Sequence, residues 1–308
     1  MNNPLVQAGR VSASCDGVMA QHPALPGPKR SRDRIATAVL AIPSVAVLGL
    51  AGVMLSTLIS RSDTVLFGLQ GWAALVEFLT AAPLHGGREG GIGSILAATF
   101  WVLGIALAAC VPVGLPVAIG LAEWFSQNSV VGRVVSFALD VIAALPSIVV
   151  GMFGLTFFCE VLGLGWSVLS GGLTVATMVL PLFVRVAQEG IAAVPRDLRL
   201  AGAALGLPPA RIILNIVLPA AAPTIGGGLL LASGRVLAES AALMFTAGGS
   251  IRMPDQLLDP GRVLALHIFQ LVMEVPGGEP RACASALVLV VVISITAWVA
   301  RTLPRRWA

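Results

Sequence analysis

The sequence predicts an all-α integral membrane protein with six transmembrane helices. Three observations predict it. The chain is 57% hydrophobic and only 11% charged, with a mean hydropathy of +0.93, which leaves too little polar surface to cover a water-soluble globule of 308 residues. Its apolar residues fall in windows long enough to cross a hydrocarbon core about 30 Å thick, a distance that takes roughly 20 helical residues. Its basic residues are shared unequally among the segments that join those windows.

Residues 1–34 mix Pro, Gly, Ser and charges without periodicity and read as a disordered tail. The apolar stretch that follows starts too late and runs too long for a cleaved signal peptide. Residues 35–60 form the first span. The segment 61–91 is a loop on the far side, in which the 13 residues 64–76 suit a helix lying in the membrane interface. Further spans are 92–121, 141–158, 167–184 and 282–300, and the window 212–251 is interrupted only by Arg235 and Glu239. Residues 302–308 form a short second tail.

Orientation follows from the arginines and the single lysine. With the N-terminus inside, thirteen basic residues (Arg10, Lys29, Arg30, Arg32, Arg34, Arg133, Arg185, Arg196, Arg199, Arg211, Arg301, Arg305 and Arg306) lie in inside segments. Five (Arg61, Arg88, Arg252, Arg262 and Arg281) lie outside, and Arg235 completes the nineteen. The bias places both termini in the cytoplasm. The net charge of +4 then reflects topology and calls for no nucleic-acid partner; the surroundings are membrane lipid.

Several chemistries are missing. Lys29 is the only lysine and lies in the tail, so no phosphate-binding loop of the form GxxxxGK[ST] exists and the chain does not hydrolyse ATP itself. The four cysteines, Cys15, Cys110, Cys159 and Cys283, form no closely spaced pair; Cys159 and Cys283 share the outside, but nothing sets a disulfide geometry. The three histidines are scattered, and no metal site is expected. An intramembrane protease would need a serine beside a histidine; Ser233 is the nearest candidate nucleophile, while His267 is expected in an outside loop.

The longest inside loop, 195–219, reads "PRDLRLAGAALGLPPARIILNIVLP". Asp197 can cap a first helix, and Leu198, Ala201 and Leu205 share one face at i, i+3, i+7. Gly206 suits the left-handed residue that ends it, and Pro208 and Pro209 fit the first turn of the next helix. On pattern alone this is equally an ordinary connection and a small apolar ridge offered to a partner.

The loop resembles the EAA loop of ABC importer permeases, E-A-A, three residues, G, nine residues, I-x-L-P. Leu200, Ala201 and Gly202, then Gly206, then Ile216, Leu218 and Pro219 take the matching positions, with Leu200 where that family usually has glutamate. "LPSIVVGMFGL" (145–155), "PVAIGLAEW" (116–124) and "GRVLAESAALMFTAGG" (234–249) narrow the resemblance to the PstA-type permeases of phosphate-specific importers. Ala238, Ser240 and Ala242 depart from the last motif, where the family has glycine, threonine and proline. The resemblance implies a type I ABC importer permease fold, with a core over 92–301, in a bacterial inner membrane. It implies a related second permease, an ATPase dimer on the cytoplasmic face that holds ATP and Mg, and a periplasmic phosphate-binding protein, with no cofactor bound by this chain. A permease for another oxyanion or small polar solute is the alternative; a protease or a membrane scaffold is a reading of another class.

Arg235 and Glu239 are the charges that need explaining. A charged residue at the centre of a membrane helix costs about 2.5–3.5 kcal/mol on insertion scales, so an intramembrane pair points to function. At i and i+4 the two share a helix face, and with membrane entry near residue 222 Arg235 lies about 20 Å along the span, close to mid-depth. One reading makes them the substrate path, with Arg235 meeting an oxyanion and Glu239 holding Arg235 in place. The other is an ion pair joining two helices. Asp140, near the inner end of its span, reads as a solvated or capping residue. Pro146, Pro181, Pro219 and Pro223 read as helix kinks, and Gly226–Gly228 as a place of close helix packing.

The basic-residue bias generates a topological prediction. Cysteines placed at Arg196 and Ser250 should react with an impermeant maleimide from opposite sides of the membrane; labelling of both from one side would overturn the six-span arrangement.

Overall fold

Lipid offers no hydrogen bonds, so each apolar window must satisfy its own backbone, and each is helical. The computed structural model describes residues 30–66, 72–125 and 129–307. The chain divides into two compact units, Met1–Met54 and Leu55–Ala308. Over its described residues the first unit is the body of helix α1 (Arg30–Leu66), whose side chains from 41 to 54 are all exposed. The disordered tail expected over 1–34 is helical from Arg30 onward, and residues 1–29 lie outside the described residues.

The second unit begins with the end of α1, where Arg61 pairs with Glu279 at 3.1 Å. It continues with α2 (Trp72–Thr80) and a two-stranded hairpin, β1 (Pro83–Leu84) and β2 (Glu89–Gly90). Then come α3 (Gly93–Ile119), which ends in a π-turn over Gly120–Trp124, α4 (Val130–Ala144), α5 (Ser147–Gly154) with a π-helical extension to Val161, and α6 (Val168–Ala192). The loop region holds α7 (Arg196–Ala204) and α8 (Pro209–Ile212); a π-segment, Ile213–Val217, leads into α9 (Leu218–Leu237). Helices α10 (Ala241–Thr246), α11 (Leu264–Met273) and α12 (Glu279–Trp307) complete the unit. Among the described residues five helical stretches are long and apolar enough to span a membrane, and they number six when the bent pair Val130–Ala144 and Ser147–Val161 is counted as one broken span.

Helix α6 is the hub. Val175, Val179, Phe183 and Val184 are almost fully buried between α3 and α9. The contacts are close because small residues face large ones: a Cβ added at Gly114 would lie 2.6 Å from Phe183, and one at Gly228 would lie 2.9 Å from Val186. Of the run Gly226–Gly228 only Gly228 is used this way; Gly226 and Gly227 face open space.

The sequence windows differ from the helices in several places. The window 141–158 is not one helix: α4 stops at Ala144 and the chain bends by 103° before α5. Pro146 is the cause, since it lacks an N–H and forces the preceding Leu145 into an extended conformation (φ −66°, ψ 134°). A hydropathy window measures how much apolar chain there is, not its direction. The window 212–251 is likewise broken, because α9 ends at Leu237 and α10 starts at Ala241. The span expected to end at 184 runs on to Ala192, and α12 takes in 302–307, expected as a tail. The interfacial helix expected at 64–76 is displaced: α1 runs through Leu66, residues 67–71 lie outside the described residues, and the short helix is Trp72–Thr80. His267, expected in a loop, is buried in α11.

Candidate functional site

Three helices bring charged residues together within the apolar bundle. Along α4, Arg133, Ser136 and Asp140 recur at i, i+3, i+7, and along α6, Met178, Pro181, Arg185 and Gln188 recur with the same helical period, so each set occupies one face. Between these faces and the end of α9 lies a cavity of about 380 Å³, lined by Asp140, Met178, Pro181, Arg185 and Arg235 among others. A second cavity of about 370 Å³ is lined by Arg133, Ser136, Asp140, Arg185 and Gln188 among others.

Arg185 donates to Asp140 Oδ1 at 2.7 Å, to the Ser136 carbonyl at 3.3 Å and to Gln188 Oε1 at 3.5 Å. Asp140, expected to be a solvated or capping residue, is therefore an ion-pair partner on a cavity wall. Neither Asp140 nor Arg185 was singled out as a site residue by the sequence. Their signal was there: each sits on a polar helical stripe at the edge of an apolar window.

Arg235 and Glu239 do meet, but not as two residues on one continuous helix face. Arg235 lies in the last turn of α9 and Glu239 lies beyond its end, with 3.7 Å between Arg235 Nη2 and Glu239 Oε2. That is an ion-pair distance longer than a hydrogen bond. The two environments differ sharply, since the Arg235 side chain is 53% exposed and that of Glu239 only 6%. The other Glu239 oxygen accepts the Ala242 N–H at 3.3 Å, which satisfies a free amide at the start of α10. A side chain that bonds forward to the backbone competes with continuation of the helix, and α9 ends here. Ser233, the candidate nucleophile, donates its hydroxyl to the Leu230 carbonyl at 2.7 Å, an intrahelical bond with no base in it.

The loop has a defined geometry. Gly206 adopts φ +73° after α7, its N–H bonds the Ala203 carbonyl at 2.9 Å, and the Leu207 N–H bonds the Gly202 carbonyl at 3.2 Å. These two bonds are the Schellman stop that the sequence predicts at this glycine. A Cβ on Gly202 would stand 2.9 Å from Ile216 and 3.1 Å from Ile212, so α7 folds back onto α8 and the π-segment. Asp197 is not the cap: Pro195 occupies that position, and Asp197 sits in the first turn, where its charge suits the helix dipole. Ala201 is exposed, as are Leu198, Leu200 and Leu205 at 42%, 66% and 80%; Leu198, Ala201 and Leu205 share one face as an apolar ridge, and Leu200 lies on another side of α7. Leu218 is half-buried and Pro219 exposed at the start of α9.

Arg199 was not foreseen. It pairs with Glu123 at 2.7 Å, donates to the Ile191 carbonyl at 2.9 Å and also bonds the Val194 carbonyl. One side chain thus ties the ridge helix to the π-turn after α3 and to the carbonyl end of α6, where a cation also meets the helix dipole favourably.

The family model described as "Binding-protein-dependent transport system inner membrane component" matches residues 114–308. The chain belongs to that family. It is therefore a multi-pass inner-membrane component of a transport system. A probable ABC transporter permease protein, YqgI of Bacillus subtilis, is 33% identical over 242 residues, covering 74% of this chain and 82% of that one. The phosphate transport system permease protein PstA 1 of Mycobacterium tuberculosis is 32% identical over 208 residues, 67% of each chain. A chain of a bacterial alginate ABC transporter, solved with its alginate pentasaccharide-bound periplasmic protein, matches with a TM-score of 0.64 at 15% identity, covering 90% of this chain and 96% of that one. That likeness shows the fold, the ABC importer permease fold that the family resemblance implies.

The Schellman stop yields a local prediction. Gly206→Val should cost about 1–2 kcal/mol at this turn, the penalty of a left-handed residue with a branched Cβ. Hydrogen exchange at the Gly206 and Leu207 amides should speed up roughly five- to thirtyfold while the melting temperature of the protein stays within a few degrees. Unchanged exchange at both amides would refute the assigned geometry.

Proposed function

We propose that this chain is the permease subunit of an ATP-driven phosphate importer and that Arg235 is its substrate-facing cation. The observation that carries the reading is the half-exposed guanidinium of Arg235 on the wall of the open cavity between α4, α6 and the end of α9. A phosphate ion that leaves water needs replacement hydrogen bonds, and a planar guanidinium supplies paired, charge-assisted ones. Glu239 lowers the net charge beside Arg235 and fixes the start of α10, so that the anion is met without being trapped. The name of the mycobacterial relative, a phosphate transport system permease, supports phosphate as the anion.

A second, related permease closes the path from the opposite side. The exposed leucines of α7, Leu198 and Leu205 on the ridge and Leu200 beside it, meet a cleft of the ATPase dimer, whose subunits hold ATP and Mg; this chain contributes no cofactor site and hydrolyses no ATP. The loop and both termini lie in the cytoplasm, and a phosphate-binding protein delivers substrate from the periplasm. Leu200, in place of a glutamate, makes the ridge contact apolar rather than ionic, and Arg199 provides the charged anchor within the permease itself.

Arg235→Gln should reduce uptake of radiolabelled phosphate roughly 10- to 100-fold, the loss expected for hydrogen bonds to a charged partner, at an unchanged level of protein in the membrane. Glu239→Gln keeps an oxygen for the Ala242 N–H and should lower the maximal rate while uptake persists. Normal uptake by Arg235→Gln would overturn the role of Arg235, and transport of sulfate but not phosphate by the wild type would assign the path to another oxyanion.

A further inference from the structure

The two polar cavities have two residues in common, Asp140 and Arg185, and these two are bridged at 2.7 Å. The bridge is the partition between the cavity of Arg235 and the cavity of Arg133 and Gln188. We propose that Arg185 is a second oxyanion-binding station on the path, and that Asp140 occupies it as an internal anion until substrate takes its place. This rests on the transport reading above.

Three features support exchange over a fixed strut. The pair lies on the walls of two open cavities and is exposed on this chain, at 36% for the Arg185 side chain and 66% for Asp140, and an exposed ion pair is weak enough to separate. The Arg185 side chain keeps its orientation without the carboxylate, because the Ser136 carbonyl and Gln188 also accept from it. Asp140 holds Arg185 through a single oxygen, Oδ1, on Nη2, and a tetrahedral oxyanion can offer that nitrogen the same kind of charged acceptor, so one can replace the other there. No bond is made or broken; the anion displaces Asp140 on arrival, and Asp140 displaces the anion on departure. Without such a competitor, a bundle-lining arginine between two others, Arg235 and Arg133, would hold a dianion too long for turnover. Asp140 thus sets the residence time.

The test uses the purified, complete importer, permeases and ATPase together, in the absence of the binding protein. Equilibrium binding of radiolabelled inorganic phosphate, and of sulfate in parallel, is measured for the wild type, Asp140→Asn, Arg185→Gln and the double variant. Uptake into liposomes is then measured with the binding protein added. Asp140→Asn should bind the transported anion about threefold to fivefold more tightly, the ratio that corresponds to losing an exposed ion pair, and its maximal uptake rate should fall. Arg185→Gln should abolish the tightening in the double variant and should slow uptake while ATP hydrolysis persists. A merely structural bridge predicts otherwise: Asp140→Asn and Arg185→Gln lower the yield of assembled importer alike, and the anion affinity of what assembles is unchanged, a result that overturns the proposal. Should Arg235→Gln transport normally while Asp140→Asn still tightens binding, the role of Arg235 fails and the station at Arg185 stands. Should the wild type take up sulfate and not phosphate, the phosphate reading fails, and the Asp140→Asn comparison with sulfate decides the station.

Discussion

The close approach of α6 to α3 and α9 is the constraint on which the rest of the structure depends. In lipid there is no hydrophobic gain from pressing one apolar helix on another, so association relies on dispersion contacts, and these grow as backbones come nearer. Gly114 beneath Phe183 and Gly228 beneath Val186 permit that nearness. The packing fixes the rotation of α6 about its axis, and with it the direction of Arg185. A polar stripe on a helix becomes a site only when the opposite stripe is held this firmly.

Where the helices stop matters as much as where they pack. Pro146 turns the chain through 103° and leaves Asp140 near the end of α4, beside open space instead of midway along a continuous rod. The end of α9 does the same for Arg235. Glu239 bonds the Ala242 N–H, so the break that exposes the arginine is stabilised by the carboxylate that accompanies it. In both cases a backbone interruption and a charge occur within a few residues, and the interruption provides room for water or substrate around the charge.

Composition and window length carried the fold class, because the cost of exposing a polar backbone to lipid is large and indifferent to detail. Much of the loop was legible, since Gly206 and Pro209 each reflect a local backbone requirement, although the first helix starts from Pro195 and is not capped by Asp197. The helix breaks were not: hydropathy is the same on both sides of Pro146, and the stop after Leu237 comes from a side chain bonding forward. Asp140, Arg185 and the Arg199–Glu123 pair were missed for a different reason. Their partners are 45 and 76 residues away in the chain, and only the packing of α4 and α3 against α6, with Arg199 reaching across to Glu123, brings them together.

The anchoring of Arg199 has a mechanical consequence. The Ile191 carbonyl it holds is six residues from Arg185 on the same helix, about 9 Å along a rigid rod. The ridge helix is thereby tied by a side chain, across the short link 193–195, to the helix that carries Arg185. If an ATPase docks on this helix as proposed, a displacement there would pass through the Arg199 side chain to the helix that carries Arg185. On the proposed reading, the face offered to the ATPase and the station at Arg185 would move as parts of one lever.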